Sequence, residues 1–107
     1  MTTFDEREQG FEAKYAHDEE LEFKVSARRN RLLGEWAGGL MGLQGDNVEG
    51  YAKAVVKSDF EQPGDDDVLR KVFGDLKGSG VQVSETDVRN KMEELMAVAR
   101  GQLKAGG

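Results

Sequence analysis

Residues 17–43, HDEELEFKVSARRNRLLGEWAGGLMGL, decide the fold of this chain. Apolar side chains recur there at steps of four, seven, four, four and three residues, which places them on one face of a long α-helix. They are Leu21, Val25, Leu32, Trp36, Leu40 and Leu43. A single helix cannot remove such a face from water, so the sequence predicts that other helices pack against it.

Three further segments carry matching apolar stripes. Their predicted starts are a cap at Asp46, the aspartates at 65–67 after Pro63-Gly64, and a capping box of Ser84 and Asp87. The stripes are Val48, Tyr51, Ala52, Val55 and Val56, running on to Phe60; Val68, Leu69, Val72, Phe73 and Leu76; and Val88, Met92, Leu95, Met96, Ala99 and Leu103. Four amphipathic helices with short loops predict an all-α protein, with a small four-helix bundle over residues 18–105.

Two local patterns in the bundle have more than one interpretation. Glycines near the end of the long helix, at 34, 38, 39 and 42, either admit a neighbouring backbone or shorten the helix. The three aspartates at 65–67 suggest a calcium loop, but the alternating ligand spacing and the closing glutamate of such a loop are missing. We therefore expect no metal site.

The segment before the long helix has a different composition. Residues 1–20 hold seven acidic and two basic side chains, which accounts for nearly all of the net charge of −6. Phe4, Phe11 and Tyr15 would share one face of a helix, but Gly10 and the lack of a continuous apolar stripe disfavour a stable isolated helix. We expect residues 1–17, called the arm below, to be flexible and to fold on a partner, the alternative being rings that pack back on the bundle or a frayed acidic terminus.

His17 lies where the arm would join the long helix, whose start is predicted near Asp18. It is the only histidine, and its unperturbed pKa falls near physiological pH. The sequence leaves two interpretations open, a pH-sensitive hinge and a solvated histidine beside carboxylates.

Composition limits the class of protein. A chain of 107 residues with 37% apolar and 34% charged side chains suits one small domain with a wide solvated surface. No cysteine, leader segment or membrane-length apolar run is present, so we expect a soluble cytoplasmic protein without disulfides or direct membrane insertion. The negative net charge opposes nucleic-acid binding.

The inventory of catalytic side chains is poor. One histidine, no cysteine and few hydroxyl groups give no nucleophile with a neighbouring base, so we expect a protein that is not an enzyme and needs no cofactor. The alternative is a nucleotide-binding or nucleotide-sensing helical module, in which Arg28, Arg29 or Arg31 would meet phosphate. The same arginines also suit a solvated face paired with acids four residues away.

Three ordered runs resemble a known family. They are FDEREQGFEAKYAHDEELEFKVSARRNRLLGEWA at 4–37, GYAKAVVKSDFEQPGDDDVLRKVFGDL at 50–76 and VSETDVRNKMEELM at 83–96. Together they are similar to the zeta subunit of alphaproteobacterial F-type ATP synthases, a natural ATPase inhibitor. The resemblance implies a four-helix bundle with an inhibitory arm that enters a catalytic alpha/beta interface beside the gamma subunit, becomes helical and blocks rotation.

On that basis the arm carries the predicted partner-binding residues. Aromatic rings would anchor it, and charged side chains would set its register. The predicted set is Phe4, Arg7, Glu8, Phe11, Glu12, Lys14 and Tyr15. The expected partners are the alpha, beta and gamma subunits, with the protein peripheral to the membrane-bound synthase.

Overall fold

The structure is a computed structural model that describes the backbone of residues 3–106 and the side chains of residues 20–105. Its described part contains four helices and no strand. They are α1 (Thr3–Leu40), α2 (Asp46–Glu61), α3 (Asp65–Gly78) and α4 (Glu85–Gly106). The predicted all-α class and four-helix arrangement are thus confirmed.

The long helix differs from its predicted start. The backbone of α1 is continuous from Thr3, with no break at Asp18 where the sequence predicted the first turn. Acidic residues favour a first turn, but glutamate, alanine and lysine are also good helix formers in an interior, so such a cluster does not by itself begin a helix. The side chains of the arm, including the proposed hinge His17, lie outside the described residues.

Helix α1 is the centre of the fold, because it packs against each of the other three, whereas the described backbones of α2 and α4 stay apart. It runs antiparallel to α2: Phe23 meets Phe60 near one end, and Gly34 lies beside Ala52 further along. A Cβ atom added to Gly34 would lie 2.5 Å from the Ala52 Cα atom. Gly34 therefore admits a close neighbouring backbone, which was one of the two predicted roles for these glycines.

The core joins side chains from all four helices. Its fully buried members are Leu33, Ala37, Val55, Val68, Leu69, Val72, Leu76, Val88 and Met92. Prediction of the α3 face was correct, but the α1 face is rotated from the predicted one. Leu40 is 44% exposed because α1 ends there, and the predicted stripe omitted the buried Leu33.

Two of the three predicted caps were wrong. Helices α2 and α3 are preceded by Gly45 and Gly64, both with positive φ, so Asp46 and Asp65 are first-turn residues that favour the positive end of the helix dipole instead of capping it. At α4 the capping box is confirmed. The Asp87 backbone N–H donates to Ser84 Oγ and the Ser84 N–H donates to Asp87 Oδ2, both at 3.0 Å.

Candidate functional site

A buried polar network fixes α1 against the connection between α2 and α3. Arg29 is only 2% exposed; its Nε donates to Asn30 Oδ1 at 2.8 Å, and its terminal nitrogen donates to Asp65 Oδ1 at 2.8 Å. Asn30 in turn donates to Asp59 Oδ2 at 2.7 Å, and the other Asp59 oxygen accepts the Gly64 N–H. These hydrogen bonds pair the buried donor groups of Arg29 and Asn30, so the network holds the α2–α3 connection against α1.

The three aspartates at 65–67 are engaged by three different arginines. Asp65 pairs with Arg29, and its two neighbours pair with Arg89 of α4 and Arg70 of α3 at 3.4 and 3.5 Å. Among residues 20–105, no three histidine, aspartate or glutamate side chains are arranged so that together they could hold a metal ion. The aspartates thus act as ion-pair partners that connect α3 with α1 and α4.

Two further polar contacts link helices. Tyr51 of α2 donates its hydroxyl hydrogen to Asp75 Oδ2 of α3 at 2.8 Å. Burial, followed by this bond and the negative charge of Asp75, raises the pKa of Tyr51 far above its usual value, so the phenol remains a donor. Near the other end of the bundle, Arg100 of α4 donates to both carboxylate oxygens of Glu22, and this hydrogen bonding lowers the pKa of Glu22.

An open groove of about 720 Å³ runs along α1 between α2 and α4. Helix α1 contributes Phe23, Lys24, Ala27, Arg28 and Arg31; α2 contributes Lys53, Val56, Lys57 and Phe60; and α4 contributes Leu103. Five of these ten lining residues are basic and none is acidic, although the whole chain has 21 acidic residues against 15 basic ones. We call this surface the basic groove.

Several cations of the basic groove keep an uncompensated charge. Lys24 lies 4.0 Å from Glu20, and Arg31 lies within 4 Å of Glu35 and Glu49. Arg28, in contrast, donates to the neutral side chain of Gln102. Within residues 20–105, Lys53 and Lys57 have no acidic side chain within ion-pair distance.

Two aromatic rings stand at the edge of the basic groove. Phe23 and Phe60 are 60% and 72% exposed and meet edge to face, with their centroids 6.2 Å apart. On their other side lies a second depression whose charged lining residues are all acidic, namely Glu22, Asp59 and Asp65. The ring pair therefore separates a basic surface from an acidic one.

The family model for the ATPase inhibitor subunit zeta matches residues 1–102, which includes both the arm and the bundle. The chain belongs to this family. A protein solved by solution NMR is similar to it in fold and sequence, with a TM-score of 0.71 and 48% identity; the match covers 81% of this chain and 99% of the other. Comparison with curated proteins gave no match.

The family assignment supports a regulatory role toward the ATP synthase. The family is that of an inhibitor subunit, which implies regulation of the ATPase. No helix in the described part of this zeta-family chain is both long and apolar enough to cross a membrane. The seven predicted partner-binding residues of the arm lie before Glu20, outside the described side chains, so their roles stay predictions.

The structure separates the three arginines predicted for the nucleotide alternative. Arg28 and Arg31 line the basic groove, whereas Arg29 is buried away from it and donates hydrogen bonds to Asn30 and Asp65. Sequence reasoning missed Lys24, Lys53 and Lys57. A usable signal was present, since Lys53 and Lys57 are four residues apart and so share one face of α2, on either side of Val56.

Proposed function

We propose that this zeta-family protein inhibits ATP hydrolysis by the F-type ATP synthase by inserting its N-terminal arm at a catalytic alpha/beta interface. The observation that carries the proposal is the family match, which extends through the arm as well as the bundle. The arm would lie as a helix beside the gamma subunit and block rotation in the hydrolytic direction. The protein would act by steric obstruction and would catalyse no reaction.

The composition of the arm suits such an insertion. Phe4, Phe11 and Tyr15 supply large contact areas at a modest cost in side-chain entropy, and they fall on one face of a helix. Arg7, Glu8, Glu12 and Lys14 would set the register through charge pairs with the alpha and beta subunits. These assignments rest on the sequence and on the family.

The bundle would be too wide to enter the catalytic interface behind the arm. Its core begins at Val25, and the network of Arg29, Asn30, Asp59 and Asp65 holds the helices around α1. The bundle would remain outside the catalytic interface and limit how far the arm enters. The protein would thereby be peripheral to the membrane-bound synthase, on its cytoplasmic side.

The direct test is an assay of ATP hydrolysis by the cognate catalytic sector at increasing concentrations of the purified protein. We expect saturable inhibition. Hydrolysis that is unchanged at a large molar excess would contradict the proposal.

Nucleotide binding is the second candidate, because Arg28 and Arg31 face the same groove as three lysines. The groove has no glycine loop or helix N-terminus among its lining residues, so a phosphate would meet only side-chain cations there. Isothermal titration calorimetry of the free protein with ATP tests this candidate. Absence of heat at millimolar nucleotide at two well-separated temperatures would exclude it.

A further inference from the structure

We infer that the basic groove is a second docking surface, which binds an acidic segment of the ATPase catalytic sector that also carries apolar side chains. The inference rests on the proposed function and adds to it. The arm would block the catalytic interface, while the basic groove would hold the bundle against the outer surface of the enzyme.

The first argument is electrostatic. The groove concentrates five of the fifteen basic residues of a chain whose net charge is −6, and no acidic side chain lines it. Among residues 20–105, Arg28 pairs with a neutral amide, and neither Lys53 nor Lys57 has an acidic partner. Such a local field attracts a negatively charged partner even though the whole molecule is acidic.

The second argument is the arrangement of the cations. Lys24, Arg28 and Arg31 form one row on α1, while Lys53 and Lys57 form a second row on the neighbouring α2. The α1 row runs from Lys24 to Arg31, a distance of seven residue steps or about 10 Å at the helical rise. Ala27, Val56 and Leu103, together with the two rings Phe23 and Phe60, supply the apolar part of the lining. An acidic segment of about two helical turns with an apolar side facing α1 would match this surface.

The third argument distinguishes a protein partner from a small anion. Phe23 and Phe60 line the groove but are mostly exposed, so a small anion held by the groove cations would leave most of each ring in water. A protein surface would cover them, and exposed aromatic pairs with a polar surround are typical of protein contacts. The depression beyond the rings has no basic lining residue, so acidic side chains of the partner would bind on the basic side of the ring pair.

The test compares two double variants with the same change in net charge. Lys53→Glu with Lys57→Glu alters the basic groove, while Arg70→Glu with Lys77→Glu alters exposed positions on α3, which contributes no lining residue. Melting curves establish that both variants fold. For each protein, surface plasmon resonance measures binding to the purified catalytic sector, and a separate assay measures inhibition of hydrolysis. Both measurements are made at two salt concentrations.

We expect the groove variant to bind and inhibit at least about tenfold more weakly, which corresponds to ~1.4 kcal/mol, and to lose much of the salt dependence. The α3 variant should stay within about twofold of the unchanged protein. Phe60→Ala should also weaken binding, because it removes an aromatic contact without changing the charge.

Several results would overturn the inference. One is a groove variant that binds and inhibits like the unchanged protein, and another is an equal loss in the α3 variant, which would show a general charge effect. A third is ATP binding that is abolished in a groove variant with full affinity for the catalytic sector, which would assign the groove to nucleotide. If the unchanged protein binds but does not inhibit, the proposed function fails while the binding comparison still tests the groove.

Discussion

Replacement of Gly34 by alanine tests the close packing of α1 on α2. The new methyl carbon would lie 2.5 Å from the Ala52 Cα atom and 3.2 Å from its Cβ atom, so the helices must separate by about 1 Å to reach normal carbon contacts. Overpacking of this kind destabilises a fold by about 1–3 kcal/mol, and the higher helix propensity of alanine offsets at most ~1 kcal/mol of that loss. We expect net destabilisation of about 1–2 kcal/mol.

The assay is thermal and urea unfolding followed by circular dichroism, in which the melting temperature should fall by roughly 4–16 °C. Gly74→Ala is the matched control. Gly74 lies inside α3, its φ is not positive, and an added methyl group would meet no atom within 4 Å. That control should be stabilised by up to ~1 kcal/mol. A Gly34→Ala protein as stable as the unchanged one, beside a control that behaves as expected, would refute the packing argument.

Three other changes test the contacts around α1. Arg29→Ala should destabilise the protein by about 2–4 kcal/mol in urea titrations, because it leaves a cavity and removes the donor to Asn30. Asp65→Asn should cost about 1–3 kcal/mol, because it leaves the buried Arg29 charge without its carboxylate, although the amide oxygen can still accept a hydrogen bond. Trp36→Ala should destabilise the protein by about 2–3 kcal/mol. This is less than for a fully buried tryptophan, because the ring is half-buried beneath Lys91. An unchanged melting temperature would show that the packing of this ring contributes nothing. The pKa of Glu22 is lowered chiefly by its hydrogen bonds from Arg100. Ionised Glu22 therefore stabilises the folded state fully at pH values above its ordinary pKa of 4.5, and this contribution is lost as the pH falls through the lower pKa of the folded state. The stability difference between the unchanged protein and Glu22→Gln should therefore shrink below pH 4.5, and a difference independent of pH would contradict the pairing.

Periodicity predicted the helices because each one buries a regular apolar face. The face of α3 shows this best, since Val68, Leu69, Val72 and Leu76 are all buried as expected. The same criterion placed Phe60 at the end of the α2 stripe, although its ring is mostly exposed and belongs to the edge of the basic groove. An apolar pattern gives the direction of a side chain but not whether a neighbouring helix extends far enough to cover it.

The burial of Arg29 shows what an apolar pattern cannot detect. Val25, Arg29, Leu33 and Ala37 recur at steps of four and form the buried face of α1, yet the arginine hides this series from a search for apolar residues. Its partner Asp65 is 36 residues away, and only the folded chain brings the two together. No local rule links such residues.

The basic groove depends in the same way on the packing of separate helices. The sequence drew attention to Arg28 and Arg31, but their association with Lys53 and Lys57 follows from the antiparallel packing of α1 and α2. The arm and its role stay predictions from composition and from the family resemblance. Its predicted contacts require a partner, which the chain alone does not supply.

Deletion of residues 1–16 tests the proposed inhibition most directly. The described core begins at Val25, so the truncated protein retains every buried residue of the bundle and should melt close to the full chain. Inhibition of ATP hydrolysis by the cognate catalytic sector should nevertheless be lost, because the inserted segment is missing. A truncated protein that folds and still inhibits at full strength would contradict the proposal, since the inhibitory surface would then lie on the bundle.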